Sequence, residues 1–148
     1  MKILMVCLGN ICRSPLAQGI LESKVSAKEI FVDSAGTSGY HEGNLPDPRS
    51  ISIASMYGLD ITNQRSRKFV VSDFDQFDLI YAMDESNYAN IIDLARDEND
   101  IAKVKLILDE LLGSDLKNVP DPYYGGDKGF ENVYRMLDEA CVVIASKL

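Results

Sequence analysis

Four short apolar runs, residues 2–6, 29–33, 78–83 and 103–108, alternate with stretches whose apolar residues recur at helical spacing. Residues 15–25 carry Leu16, Ile20, Leu21 and Val25. Residues 48–57 follow Asp47, a plausible cap, and residues 85–96 place Tyr88, Ile91, Ile92 and Ala95 on one face. Residues 130–147 bring Phe130, Val133, Leu137, Ala140, Cys141 and Ile144 into one stripe, so Cys141 reads as core. Strand and helix alternating in this way predict an α/β three-layer sandwich, a central four-stranded parallel sheet with helices on both faces. Such sheets bind ligands at the carboxyl ends of their strands, where the winding direction reverses.

At the end of the first run stands Cys7-Leu8-Gly9-Asn10-Ile11-Cys12-Arg13-Ser14-Pro15. Five residues between a Cys and an Arg allow the backbone to curl into a ring of amide N–H groups, with Gly9 relieving the turn. The ring then opens a helix whose positive end faces the same point. A phosphate dianion fits such a ring, and the same field favours the thiolate, the nucleophilic form of a cysteine. Pro15 is compatible with a first helical turn. The plainer alternative is that Cys7 is a small hydrophobe at a strand end and Arg13 a surface charge.

A thiolate attacking phosphorus needs a carboxylic acid to protonate the leaving oxygen and later to take a proton from water. Asp121 is the candidate, in a loop stiffened by Pro120 and Pro122 and flanked by Tyr123 and Tyr124, which would form aromatic walls. An ordinary Pro-Asp-Pro turn with surface tyrosines is the alternative. Asp47, in the competing Asp-Pro pair, reads better as a helix cap.

The remaining composition bounds the function from outside. The chain has 148 residues, 46% of them hydrophobic, which fits one domain over residues 1–148 with its own core. Its formal net charge of −8 argues against nucleic acid or an anionic membrane as partner. No run reaches the roughly 20 apolar residues of a membrane span. Three cysteines with no secretory signal suggest a reducing, cytoplasmic setting rather than a disulfide framework. Lys2 and the apolar residues after it look superficially like a signal start, but Gly9, Asn10 and Arg13 interrupt it. Cys7 and Cys12 lack the spacing and partner ligands of a zinc site, so neither metal nor cofactor is expected.

The chain resembles the low-molecular-weight protein tyrosine phosphatases. The resemblance is carried by Cys7, Gly9, Asn10, Cys12, Arg13, Ser14 and Pro15, by Asp121 to Tyr124, and by the segments 33–37 and 82–87. It implies a Rossmann-like sandwich and a hydrolase acting on phosphotyrosine in a protein or peptide and releasing inorganic phosphate, as a monomer or weak dimer. Cys7 would be the nucleophile forming a phosphocysteine, Arg13 a bidentate clamp, and Asp121 the general acid and then base. Leu8 to Ser14 would cradle the phosphate. Ser14 would donate to the Cys7 sulfur, and Asn10 and Ser34 would hold the loop in a strained turn. Leu8, Ile11, Tyr40, Tyr123 and Tyr124 would line the mouth.

Two departures from the family pattern stand out. Gln64 takes the place of a histidine that supports the loop through Asn and Ser, and can both donate and accept. Gln18 takes the place of a glutamate just after the loop, removing a negative charge from the thiolate's surroundings. His41, the only histidine, sits in a polar loop and is given no chemistry. Cys12, five positions from Cys7 on a curled loop, comes within range of a reversible Cys7–Cys12 disulfide, as the resemblance also suggests; a thiol packed under the loop is the alternative.

Three other readings fit less well. An arsenate reductase of this fold passes electrons through further cysteines, and none lies between Cys12 and Cys141. A phosphoarginine phosphatase typically has Thr two residues before the arginine, where this chain has Ile11. An inactive phosphotyrosine-binding module would lack a nucleophile or an acid, and candidates for both are present.

Overall fold

The computed structural model describes residues 1–124 and 126–148, with the side chains of residues 124, 126 and 127 left aside. Four strands, β1 (Lys2–Cys7), β2 (Phe31–Gly36), β3 (Leu79–Ala82) and β4 (Val104–Leu106), form one parallel sheet in the order β2-β1-β3-β4. The chain steps from β1 to one side for β2 and to the other side for β3. That reversal opens a crevice at the carboxyl end of β1, where Cys7 sits.

The pleat of β1 divides the core. Ile3, Met5 and Cys7 face one side and Leu4 and Val6 the other, all buried, as a period of two requires in a strand covered on both faces. The first side is covered by α1 (Arg13–Glu22), α2 (Pro48–Met56) and α6 (Gly126–Ser146), which contribute Leu16, Ile20, Ile53, Val133, Leu137 and Ile144. Cys141 is fully buried there. The second side is covered by α3 (Asp73–Gln76) and α4 (Glu85–Ile92) through Phe74 and Ile91. The three-layer α/β sandwich read from the sequence is therefore the fold.

Aspartates open three of the helices. The side chains of Asp47, Asp84 and Asp97 accept the N–H groups of Arg49, Asn87 and Asp100, each satisfying a donor that the first helical turn leaves free. Asp97 starts α5 (Glu98–Lys103), a helix in the gap between the 85–96 stretch and the 103–108 run, to which the sequence pattern assigns no element; α4 itself ends at Ile92. Two further boundaries move. β2 lies over Phe31–Gly36 rather than 29–33, and β4 stops at Leu106, after which Ile107–Glu110 turns into a 3₁₀ helix. α1 starts at Arg13, two residues before Pro15, which still falls in the first turn where its missing N–H has no partner to lose.

Candidate active site

Cys7 ends β1 and Arg13 begins α1, so the ring of residues 8–12 is the whole connection between them. Asn10 is the residue that turns the ring. Its φ of 54° is the one left-handed value among the described non-glycine residues, and Asn tolerates that region better than other side chains. The sequence reading gave this task to Gly9. A Cβ at Gly9 would stand 2.9 Å from Cδ2 of the His41 side chain, so that ring rests against the loop at this position.

Hydrogen bonds fix the ring in a definite direction. The Arg67 N–H donates to Asn10 Oδ1 (3.1 Å), which orients the amide so that Nδ2 donates to both Ser14 Oγ (2.7 Å) and Ser34 Oγ (3.0 Å). Ser34 spends its own hydrogen on Gln18 Oε1 (2.7 Å). Ser14, already an acceptor from Asn10, lies 3.0 Å from the Cys7 sulfur and 3.4 Å from the Ala35 carbonyl, so the sulfur is the nearer acceptor for its hydrogen, and the Asn10 N–H donates to the same sulfur at 3.2 Å. Two donors therefore converge on Sγ, an arrangement that favours negative charge there.

Gln64 does not join this network. It packs beside Gly19, and its Nε2 donates to the Pro15 carbonyl (3.0 Å), steadying the start of α1 rather than the ring. Gln18 takes the expected place because it lies one helical turn after Ser14, on the face of α1 that looks at β2.

Arg13 is 3% exposed and donates through Nη1 to Asp84 Oδ2 (2.6 Å) and to the Val119 carbonyl (2.9 Å). Burial works against its charge. The Cys7 sulfur and then Asp84 outweigh that, holding the guanidinium above its ordinary pKa. The sequence pattern gives Asp84 no role of its own, although it lies in the 82–87 segment that carries the family resemblance. Burial, reinforced by Asp47, Cys7 and Asp121, pushes the Cys12 thiol up to about 12, so it is protonated at neutral pH.

A cavity of about 510 Å³ opens over this ring. Cys7, Leu8, Gly9, Ile11, Cys12 and Arg13 form its floor, and Ser38, Tyr40, His41, Asp121 and Tyr123 its walls. The cavity thus brings together Cys7, Arg13 and Asp121, together with Leu8, Ile11, Tyr40 and Tyr123 of the expected mouth. The side chain of Tyr124 lies outside the described residues. His41, given no role from sequence, is in the wall, edge-on to Tyr40 with ring centroids 4.9 Å apart. Asp121 is exposed, and its Oδ1 accepts the N–H of Tyr123 at 3.0 Å. No group of three or more His, Cys, Asp or Glu side chains suited to a metal ion occurs among the described residues.

The family model for low molecular weight phosphotyrosine protein phosphatases matches residues 2–148. A Synechocystis sp. protein assigned to the low molecular weight protein-tyrosine-phosphatases is 45% identical over 145 residues, covering 95% of this chain and 92% of that one. The human low molecular weight phosphotyrosine protein phosphatase is 41% identical over 154 residues, covering 99% and 94%. A crystal structure of a protein tyrosine phosphatase from Entamoeba histolytica, with Hepes in its active site, superposes with a TM-score of 0.94 at 40% identity, covering 99% and 96%. The chain belongs to the low molecular weight phosphotyrosine protein phosphatases, a family of hydrolases.

Proposed function

We propose that the chain hydrolyses phosphotyrosine in proteins or peptides through a phosphocysteine on Cys7. The Cys7 sulfur attacks phosphorus in line with the ester oxygen. The S–P bond forms as the P–O bond breaks, and Asp121 gives its proton to the departing tyrosine oxygen. Asp121, now a carboxylate, takes a proton from water. That water attacks phosphorus, releasing inorganic phosphate and the Cys7 thiolate. Arg13 and the N–H groups of residues 8–14 hold the equatorial oxygens through both steps. The hydrogen bond from Ser14 stabilises the sulfur as it leaves in the second.

The observation that carries this reading is the cavity itself, with Cys7 and Arg13 in its floor, each only 3% exposed, and Asp121 at its wall. Ile11, Tyr40 and Tyr123 line the same cavity, an apolar and aromatic surface suited to the phenyl ring of a phosphotyrosine. The three cysteines are free and buried, so a thiol-dependent site of this kind belongs in a reducing compartment such as the cytoplasm. The reaction needs no cofactor, and the acidic chain, acting as a monomer or weak dimer, has neither nucleic acid nor membrane as partner.

The test is phosphate release from matched phosphotyrosine, phosphoserine and phosphoarginine peptides. Turnover is expected on phosphotyrosine alone, abolished in Cys7→Ser and reduced about 10²- to 10⁴-fold in Asp121→Asn, the range of a lost general acid. Phosphoarginine turnover would move the substrate class, and activity persisting in Cys7→Ser would remove the covalent mechanism.

The same site has a redox corollary. Peroxide converts the Cys7 thiolate to a sulfenic acid with loss of hydroxide, and the Cys12 thiol then displaces water from it to form a Cys7–Cys12 disulfide. Dithiothreitol should restore peroxide-treated wild type and fail to restore Cys12→Ser. Equal recovery in both would discard Cys12 as the protecting partner.

A further inference from the structure

We infer that Arg49 is a positioning residue that holds the Asp121 loop in register with the phosphate loop. The inference rests on the reading of Asp121 as the proton donor and explains how an exposed loop keeps that donor in place.

Arg49 is the second residue of α2, and its side chain divides between two tasks. Toward its own helix, Nε and Nη2 each donate to the Asp47 carboxylate at 3.1 Å, and the Arg49 backbone N–H adds a third bond at 2.8 Å. Asp47 is 8% exposed, so the guanidinium plane is set by a nearly buried partner. Away from the helix, Nη1 donates to the Tyr123 carbonyl at 2.9 Å. The same plane lies over two rings, 5.1 Å from the Tyr123 centroid and 4.7 Å from that of Phe130 in α6.

Both ends of this contact continue into the site. On one side the Asp47 N–H donates to the Ile11 carbonyl (2.8 Å) and the Ser50 hydroxyl to the Cys12 carbonyl (3.4 Å), fastening the start of α2 to the phosphate ring. On the other, Tyr123, which accepts from Arg49 at its carbonyl, donates from its backbone N–H to Asp121 Oδ1. An unbroken path therefore runs from Ile11 through Asp47, Arg49 and Tyr123 to Asp121. Lysine could not replace it: a point donor cannot grip a carboxylate in two places and reach a carbonyl on the opposite side.

A residue that only stabilised the fold would affect all substrates alike. One that positions the acid acts selectively, because phenoxide is a poor leaving group that must be protonated as it departs, whereas p-nitrophenoxide leaves with little help. Arg49→Ala should lower kcat/KM for phenyl phosphate about tenfold and for p-nitrophenyl phosphate less than about threefold, as expected of a displaced rather than deleted catalytic group. In an Asp121→Asn background, Arg49→Ala should change phenyl phosphate turnover by less than about twofold, since there is no donor left to misplace. If Arg49→Ala does not fold, Arg49→Lys carries the same comparison, with a loss in the same direction. Equal losses on both esters, or an undiminished loss in the Asp121→Asn background, would overturn the inference while leaving Asp121 as the acid. An Asp121→Asn enzyme with no ester-dependent loss would overturn the acid reading, and this inference with it.

Discussion

Replacing Asn10 separates two contributions that the ring combines at one position. Its buried side chain makes three hydrogen bonds, from Nδ2 to Ser14 and Ser34 and from the Arg67 N–H to Oδ1. At about 1 kcal/mol net each, Asn10→Ala gives up about 3 kcal/mol. The serines add little to this, because Ser34 keeps Gln18 and Ser14 keeps Cys7 as partners, and the half-buried Arg67 N–H is left to water. Alanine must also hold the φ of 54°, which adds about 1 kcal/mol over asparagine. The total of about 4 kcal/mol is a large part of the 5–15 kcal/mol of a typical domain and corresponds to a melting point lower by roughly 8–16 °C. Asn10→Gly loses the same hydrogen bonds without the left-handed penalty. Relative to glycine, alanine's left-handed penalty is about 1–2 kcal/mol, and after subtracting glycine's own entropic cost of about 0.5–1 kcal/mol, the glycine variant should be the more stable of the two by about 0.5–1 kcal/mol. Urea denaturation of the three proteins, followed by circular dichroism, gives both differences. A glycine variant no more stable than the alanine variant would refute the backbone argument, and two variants as stable as wild type would refute the hydrogen-bond argument.

Asp84 both faces Arg13 and caps α4, and two substitutions divide these tasks. Asp84→Asn keeps an acceptor for the Asn87 N–H but removes the charge. It should cost about 2 kcal/mol, a buried-pair loss discounted for the 21% exposure of the Asp84 side chain. Asp84→Ala should cost about 1 kcal/mol more from the lost cap, and equal urea midpoints would argue against the capping contribution. Arg96, by hydrogen bonding and charge, holds the carboxyls of Asp75 and Asp100 below the usual carboxylate range. Groups shifted downward contribute stability that is full above their unfolded pKa of about 3.9 and is lost as the pH falls through their folded values. Arg96→Gln should therefore lower the urea midpoint near neutrality and narrow the gap between neutral and acidic midpoints. An unchanged gap would show that these pairs do not drive the acid sensitivity.

Much of this architecture is legible in the chain before any coordinates. The strand and helix alternation carries the parallel sheet because each apolar run is too short for a helix and each helical stretch has a single apolar stripe. The Cys7 to Ser14 loop is readable because its residues are contiguous. What escapes is contact at long range between unremarkable residues. Arg13 and Asp84 are separated by 71 positions, and nothing in either local pattern announces the other. β2 was placed early because Ser34, Ala35 and Gly36 have the composition of a loop. In the fold they complete the strand opposite Met5, Val6 and Cys7, which is how Ser34 comes within reach of Asn10. Gln64 was misread for a related reason. Its chemistry suited the network, but the face of α1 that it approaches is the one at Gly19.

Gly36 gives the ring its outer boundary. A Cβ at that position would stand 2.7 Å from the Leu8 carbonyl oxygen and 3.0 Å from the Asn10 nitrogen, both backbone atoms with no freedom to yield. The curl of residues 8–12 is thus cast against the bare end of a neighbouring strand, and that strand is held in turn by the Arg67 carbonyl and the Phe69 N–H. The loop is the impression and β2 the mould. Transplanted alone into another scaffold, the Cys-to-Arg sequence would arrive without the surface that shapes it, so the transferable unit of this site is a pair of adjacent strand ends.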